Sequence, residues 1–262
     1  MKSKSIIINE LLSDGFSVIE NYYNSNFCKK AIEDINRLIK KNGSKLYSVS
    51  EEGTSGDQRL FKIENQCQKA KFFKEDKFIK SILNKVSKRR VYSCFTLGGK
   101  LKHDSKIIKN SGGGWHRDGD KNQYKAIIYL NDVDKTCGPF TFIRNSKCFD
   151  IKRRKTEGTP YDLNKQSILE KMLSLIGKGQ DVAPRYSDDD VNDFIKKKNI
   201  KPIELTGKQG TLILVNVSYI HRGKNIEKGV RYTFTNYFFE SNILSKFSRN
   251  RQFGKLFMEK LK

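Results

Sequence analysis

The spacing of apolar residues predicts a mainly β (α+β) fold for this chain of 262 residues, namely a double-stranded β-helix, or cupin-like jelly roll, with flanking N-terminal helices and a helical insertion. Residues 1–90 are mixed, with a short strand and two stretches in which apolar residues have the spacing of amphipathic helices. From residue 91 the period changes to two, which is typical of half-buried strands. The strand-like segments that follow supply roughly the eight strands that a jelly roll requires.

The first 90 residues are predicted to form a short strand at 16–20 and two helices. The first helix, at about 25–41, has Ala31 and Ile35 on one face, and the second, at about 76–87, is also amphipathic. Strands of the core are predicted at 91–98, 114–118, 124–131, 139–143, 202–205, 211–217 and 230–239.

We expect a single domain over residues 1–262, with a helical flank (1–90), a jelly-roll core (91–240) and a basic tail (241–262). The core is interrupted by a polar insertion at 145–200.

Two helices are predicted within this insertion, at 165–176 and, with Ser187 as its N-cap, at 188–198. Insertions of this size on a rigid barrel commonly carry the surface that selects the substrate. A solvated excursion without a role is the alternative interpretation.

Two of the three histidines have the spacing of a metal site. His116 and Asp118 are two residues apart on a predicted strand, so their side chains point to the same side and Arg117 faces away. His221 is expected to come from another strand, the apolar run at 211–217 just ahead of it. Two imidazoles and one carboxylate suit iron(II) and leave the opposite face of the ion open.

Arg231 favours iron over zinc, which accepts the same three ligands. It lies on the predicted strand 230–239, where its guanidinium would bind the distal carboxylate of 2-oxoglutarate through two parallel hydrogen bonds. Thr233 faces the same way and adds a hydroxyl. Lys125 is expected to face the pocket and to meet the co-substrate or an acidic substrate, and a structural lysine on an edge strand is the alternative.

Several motifs, among them Gly-Gly-Gly-Trp-His-Arg-Asp at 112–118, cover most of the chain apart from the insertion and the tail. Together they resemble the phytanoyl-CoA dioxygenase family of iron(II)- and 2-oxoglutarate-dependent oxygenases. The resemblance implies a jelly-roll enzyme that uses iron(II), 2-oxoglutarate and dioxygen, with His116, Asp118 and His221 on the metal and Arg231 on the co-substrate. The other resembling segments are 14–20, 124–133, 138–143 and 221–240.

The tripeptide His-Arg-Asp also occurs in the catalytic loop of protein kinases, but the kinase interpretation fails. Residue 123 is Gln where a kinase has Asn, and the chain has no Asp-Phe-Gly motif. The third histidine, His103, has charged neighbours and is expected in a solvated loop, outside the metal site.

The chain is strongly basic, with 52 Lys and Arg against 29 Asp and Glu and a net charge of +23. This excess predicts anionic partners: a small-molecule or carrier-linked anionic substrate, with contact to an anionic membrane or glycan surface through the tail. Nucleic acid is the less favoured partner. A lysine content raised by an AT-rich genome is the alternative explanation of the charge, and a tail helix packed on the barrel is the alternative to membrane contact.

Cysteine usage favours a reducing compartment. The five cysteines are odd in number and show no Cys-x-x-Cys pairing, and no signal peptide or membrane span is recognised. We therefore expect a cytoplasmic enzyme.

The function that these observations predict is hydroxylation of a C–H bond in a small or carrier-linked metabolite or sugar. Asp118 favours hydroxylation over halogenation, because the related halogenases lack this carboxylate. An oxygenase acting on nucleic acid or protein, and a non-catalytic jelly-roll binding protein, are the alternatives.

Overall fold

The structure, a computed structural model, describes residues 2–42, 47–48, 56–103, 113–119, 122–147 and 185–240. The predicted helix at 165–176 and the basic tail at 241–262 lie outside the described residues. In the part of the chain that is described, no helix has both the length and the apolar character that crossing a membrane requires.

Most helices precede the main strands. Two of them, α2 and α4, confirm the predicted N-terminal helices, and α5 follows Ser187, whose hydroxyl accepts a hydrogen bond from the Asp190 backbone as predicted. The structure adds α1 and α3, which the apolar pattern did not predict. The helices are α1 (Lys4–Ser13), α2 (Ser25–Asn42), α3 (Gln68–Lys74), α4 (Lys77–Val86) and α5 (Asp188–Lys198).

The strands form two antiparallel sheets, a larger one with the order β1-β8-β5-β10-β4-β3-β2 and a smaller one with the order β7-β6-β9. Apolar side chains of both sheets pack against each other, among them Ile127 and Tyr129 from the larger sheet and Phe142 and Leu205 from the smaller. This arrangement confirms the predicted jelly-roll fold. The strands are β1 (Phe16–Ile19), β2 (Tyr47–Ser48), β3 (Asp57–Phe61), β4 (Val91–Lys102), β5 (Gln123–Tyr129), β6 (Phe140–Phe142), β7 (Ile203–Leu205), β8 (Leu212–Asn216), β9 (His221–Gly223) and β10 (Val230–Glu240).

Helices α1 to α4 cover the outer face of the larger sheet. Alternate residues of β10, including Tyr232, Phe234 and Phe238, are buried against residues of these helices in the main apolar core. The residues between them point to the opposite face, towards the space between the two sheets. One strand therefore contributes to the core with one face and to a pocket with the other.

Two predictions about the metal-site strands are wrong. Residues 114–118 do not form a full strand, because only His116 has a β-bridge partner and Asp118 instead donates its backbone N–H to Val217 O at 2.9 Å. His221 does not belong to the strand predicted at 211–217. That strand, β8, ends at Asn216 in the larger sheet, and His221 opens β9 in the smaller sheet.

Candidate metal centre

Reciprocal backbone hydrogen bonds bring the two predicted histidine ligands together. The N–H of His116 donates to the carbonyl of His221 at 3.0 Å, and the N–H of His221 donates to the carbonyl of His116 at 2.9 Å. The two residues are thus directly opposite each other in an antiparallel bridge. Their imidazole rings lie side by side, with centroids 4.3 Å apart.

Asp118 joins the two imidazoles as predicted. One ligand atom from each of the three residues lies within 4.8 Å of the others, and Asp118 Oδ1 is 3.6 Å from His116 Nε2 and 3.3 Å from His221 Nε2. Arg117 between them is buried, faces away and donates to the Lys147 carbonyl at 3.0 Å. His103 is exposed and lies outside this group, also as predicted.

The hydrogen bonds of the two rings leave both Nε2 atoms free to bind a metal ion. His116 Nδ1 is 2.8 Å from Gly114 O, and His221 Nδ1 is 2.9 Å from Tyr219 O. A carbonyl oxygen only accepts, so each Nδ1 carries the proton and each Nε2 presents a lone pair. His221 Nε2 is fully buried and has no hydrogen-bond partner among the residues that the structure describes. Two lone pairs and a carboxylate oxygen facing one another, with no proton between them, fit a bound divalent cation.

The protonation states of the cluster also suit a metal ion. Burial and the neighbouring His221 hold the pKa of His116 well below its usual value of 6.5. Burial alone would raise the pKa of Asp118, but the Lys125 ammonium and the two imidazoles lower it below its usual range. At neutral pH, His116 is therefore neutral and Asp118 is ionised, as metal ligands must be.

Lys125 lies at this site, but the contact that the structure shows is with a metal ligand. Its Nζ is 2.6 Å from Asp118 Oδ2 and 4.9 Å from the centroid of the Tyr237 ring. Although burial opposes the charged form, Asp118 and Tyr237 raise the pKa of Lys125. Strand β5 lies between β8 and β10, so the alternative of an edge-strand lysine is wrong.

Arg231 and Thr233 line the same pocket as the two histidines and Lys125. The pocket is partly open to solvent, so a small molecule can reach these side chains. Burial lowers the pKa of Arg231 from its usual value. No hydrogen bond or ion pair joins its guanidinium to another described residue, and the Asp57 carboxylate that interacts with it electrostatically is hydrogen-bonded to Arg59 instead.

Sequence reasoning missed a second charged pair in the pocket, Asp57 and Arg59 on β3. Arg59 donates to both carboxylate oxygens of Asp57, from Nε at 3.0 Å and from Nη2 at 2.9 Å. The alternation Asp-Gln-Arg at 57–59 carries no apolar residue that would have predicted a strand here. Register pairing across β4 places Arg59 opposite Gly99, which in turn lies opposite Thr233.

Both described parts of the predicted insertion (145–200) contact the segment that carries His116 and Asp118. In the first part, the Lys147 carbonyl accepts the hydrogen bond from Arg117, and Lys147 Nζ donates to Asn122 Oδ1 at 2.6 Å. In the second part, Arg185 pairs with His116 in a β-bridge, and the following residue donates its backbone N–H to Trp115 O at 2.9 Å.

Comparisons with known proteins support the fold. No protein-family model matches the chain, and no curated protein matches its sequence. The solved structures that it resembles include the epimerase SnoN in complex with Fe3+, alpha ketoglutarate and nogalamycin RO, with 10% identity, a TM-score of 0.65 and coverage of 90% of this chain and 83% of that one. They also include HygX from Streptomyces hygroscopicus with nickel and 2-oxoglutarate bound, with 11% identity, a TM-score of 0.57 and coverage of 92% and 88%.

A third similar structure is AviO1 from Streptomyces viridochromogenes Tue57, with 12% identity, a TM-score of 0.55 and coverage of 93% of this chain and 97% of that one. At these identities the likeness shows the fold and nothing finer. The chain therefore has the fold of these three solved proteins, whereas its resemblance to the phytanoyl-CoA dioxygenase family stays a prediction.

Replacement of either histidine of the cluster should weaken metal binding strongly. We expect His116→Ala and His221→Ala to weaken the binding of nickel(II) by at least about 100-fold in calorimetric titrations, because each removes one of three protein ligands. The control is His103→Ala, which removes the exposed histidine and should bind nickel(II) like the wild type. Retained affinity in His221→Ala, or lost affinity in His103→Ala, would contradict the site.

Proposed function

We propose that this protein is an iron(II)- and 2-oxoglutarate-dependent dioxygenase. The observation that carries the proposal is that His116 and His221, which cluster with Asp118, line one pocket with the guanidinium of Arg231, a cation that makes no hydrogen bond or ion pair with a described residue. Two imidazoles and one carboxylate are the ligands typical of non-haem iron(II) oxygenases. SnoN and HygX, which have this fold, were solved with a metal ion and the co-substrate bound.

In this proposal each residue has a defined role. His116, Asp118 and His221 hold the iron, and Arg231 binds the distal carboxylate of 2-oxoglutarate through its planar fork. Thr233 lies two residues further along the same face of β10 and adds a hydroxyl to that carboxylate site. The missing side chain of Gly99 keeps this end of the pocket open, because a Cβ there would lie 2.9 Å from Thr233 Oγ1.

Bound iron(II) would supply the redox chemistry that couples dioxygen to the oxidative decarboxylation of 2-oxoglutarate. The chain itself supplies binding and orientation. The buried His221 and the hydrogen bonds from each Nδ1 fix the rings before the metal arrives, so little reorganisation is needed on binding.

Removal of the guanidinium of Arg231 tests this assignment. We expect the wild type to form succinate from 2-oxoglutarate only when iron(II) is added. In Arg231→Ala the loss of a charge-assisted bidentate contact costs about 2 to 5 kcal/mol, so half-saturation should need at least about 30-fold more 2-oxoglutarate. Arg231→Lys keeps the charge without the fork and should fall between the two.

The matched control is Arg144→Ala, which removes an exposed arginine paired with Asp14 on the surface. Its requirement for 2-oxoglutarate should equal that of the wild type. Succinate formation without iron, or an unchanged 2-oxoglutarate requirement in Arg231→Ala, would argue for another function.

We further propose that the reaction is hydroxylation of a C–H bond. The similar structures include an epimerase and a carbocyclase, so the fold alone does not select the outcome. Asp118 favours hydroxylation, because it occupies the position that a halide takes in halogenases of the resembling family.

Labelled dioxygen distinguishes these outcomes. With ¹⁸O₂ we expect one labelled oxygen atom in the product and one in succinate, as measured by mass spectrometry once a substrate is found. A product that carries no label, such as an epimer or a cyclised product, would show that the reaction is not hydroxylation.

As substrate we propose a small or carrier-linked metabolite or sugar that carries negative charge. SnoN and HygX were solved with small molecules, nogalamycin RO and hygromycin B. The residues that line the pocket include the cations Arg59, Lys125 and Arg231 and the carboxylate Asp57, and Lys125 is paired with Asp118. Bound iron(II) would add to this positive charge.

The charge of the substrate can be tested with salt. Electrostatic attraction is screened over a Debye length of about 8 Å at physiological ionic strength, so kcat/KM for an anionic substrate should fall as salt rises. Substrate-free turnover of 2-oxoglutarate in the same buffers serves as the reference. A preferred substrate that is neutral, with kcat/KM indifferent to salt, would mean that the basic composition does not reflect the substrate.

A further inference from the structure

The two carboxylate oxygens of Asp118 have different surroundings. Oδ1 faces the unprotonated Nε2 atoms of His116 and His221, at 3.6 and 3.3 Å. Oδ2 points the other way and is contacted by Lys125 Nζ at 2.6 Å and by Gln123 Nε2 at 3.4 Å. One oxygen is therefore presented to the metal position, and the other is already bound by an ammonium.

The position of Lys125 in the sheet leaves its ammonium little choice of partner. In the register of the larger sheet it lies between Val215 of β8 and Tyr237 of β10, and it is only 8% exposed. Asp118 is the one carboxylate that pairs with it among the described residues. A buried ammonium without a counter-charge is costly, so the contact with Oδ2 is strongly favoured.

We propose that Lys125 is a positioning residue that keeps Oδ2 of Asp118 away from the metal, so that the carboxylate binds through Oδ1 alone. This inference rests on the proposed function, because it needs a metal ion at the site. It assigns Lys125 a role different from direct contact with 2-oxoglutarate or substrate.

The ion pair affects both the coordination and the charge of the site. A carboxylate that chelates with both oxygens would take a position that the co-substrate needs. The Lys125 ammonium also cancels the charge of Asp118, so the protein ligands and Lys125 together are neutral. The charge of the metal ion is then left for the dianion 2-oxoglutarate to neutralise.

Loss of the ammonium should therefore shift two affinities in opposite directions. In Lys125→Met, Asp118 is free to use both oxygens and its charge is no longer cancelled. We expect the affinity for cobalt(II) to rise about tenfold and the affinity of the cobalt-loaded protein for 2-oxoglutarate to fall about tenfold, the usual size of effects from residues that contact metal ligands. Both are measured by calorimetry, and the visible spectrum of bound cobalt(II) reports the change in coordination.

Two further variants make the experiment decisive. Lys125→Gln keeps a hydrogen-bond donor without the charge, so both affinities should shift in the same directions as in Lys125→Met but by smaller factors. This variant replaces Lys125→Met in the experiment if Lys125→Met does not fold. Lys74→Met is the matched control, because it removes a partly buried lysine whose Nζ is also 2.6 Å from a carboxylate, that of Glu64. It should change neither affinity.

A fall in cobalt affinity in Lys125→Met would show that Lys125 only holds Asp118 in place for metal binding. An unchanged affinity for 2-oxoglutarate would show that the Lys125–Asp118 pair does not influence the coordination positions that the co-substrate would take. Either result overturns the inference while the proposed function stands. A wild type that binds neither cobalt(II) nor 2-oxoglutarate would overturn the proposed function itself, and this inference with it.

Discussion

The two backbone hydrogen bonds between His116 and His221 are the contact on which the site depends. They join residues that are about a hundred positions apart in the chain, and they extend the smaller sheet by one bridge. The imidazoles become neighbours because their backbones are directly paired. Asp118 then follows from the chain geometry, since it lies two residues beyond His116 and its own N–H is bound to Val217 O.

Strand β10 connects this centre to the core. Its alternation sends Phe234 and Phe238 into the apolar cluster beneath the helices and Arg231 and Thr233 into the pocket. A slip of one residue in the pairing of β10 with β5 would exchange these two sets. The burial of the phenylalanines therefore also fixes the direction of the guanidinium.

The sequence predicts those parts of the structure in which the spacing of functional residues matches the periodicity of the secondary structure. It predicts the cluster of His116, Asp118 and His221, the pocket position of Arg231 and the jelly-roll strands, because the spacing expected of metal ligands on a strand and the alternation of strand residues both have a period of two. Helix α1 was missed because Ile6, Ile7 and Ile8 are β-branched and only Ile7 is fully buried, so helical spacing is weak. A helix of this kind forms through tertiary packing, which no local pattern records.

The pocket residues of β3 were missed for a related reason. Asp57 and Arg59 are charged, and their burial depends on each other and on the strand beside them. The sequence also does not predict the partner of Lys125, because the carboxylate that lies next to a pocket-facing lysine is determined by the tertiary structure. The direction in which Lys125 faces was predictable from the sequence, whereas its contact depended on where the fold places Asp118.

The contacts of Lys147 and Arg185 have a consequence for the substitutions that the cluster tolerates. The Lys147 carbonyl accepts a hydrogen bond from Arg117, and Arg185 pairs with His116 in a β-bridge. Lys147 and Arg185 make these contacts through their backbones, so the contacts do not depend on which side chain stands at either position. Substitution of these two side chains can therefore change the surface beside the cluster while the backbone that places His116 and Asp118 keeps its support.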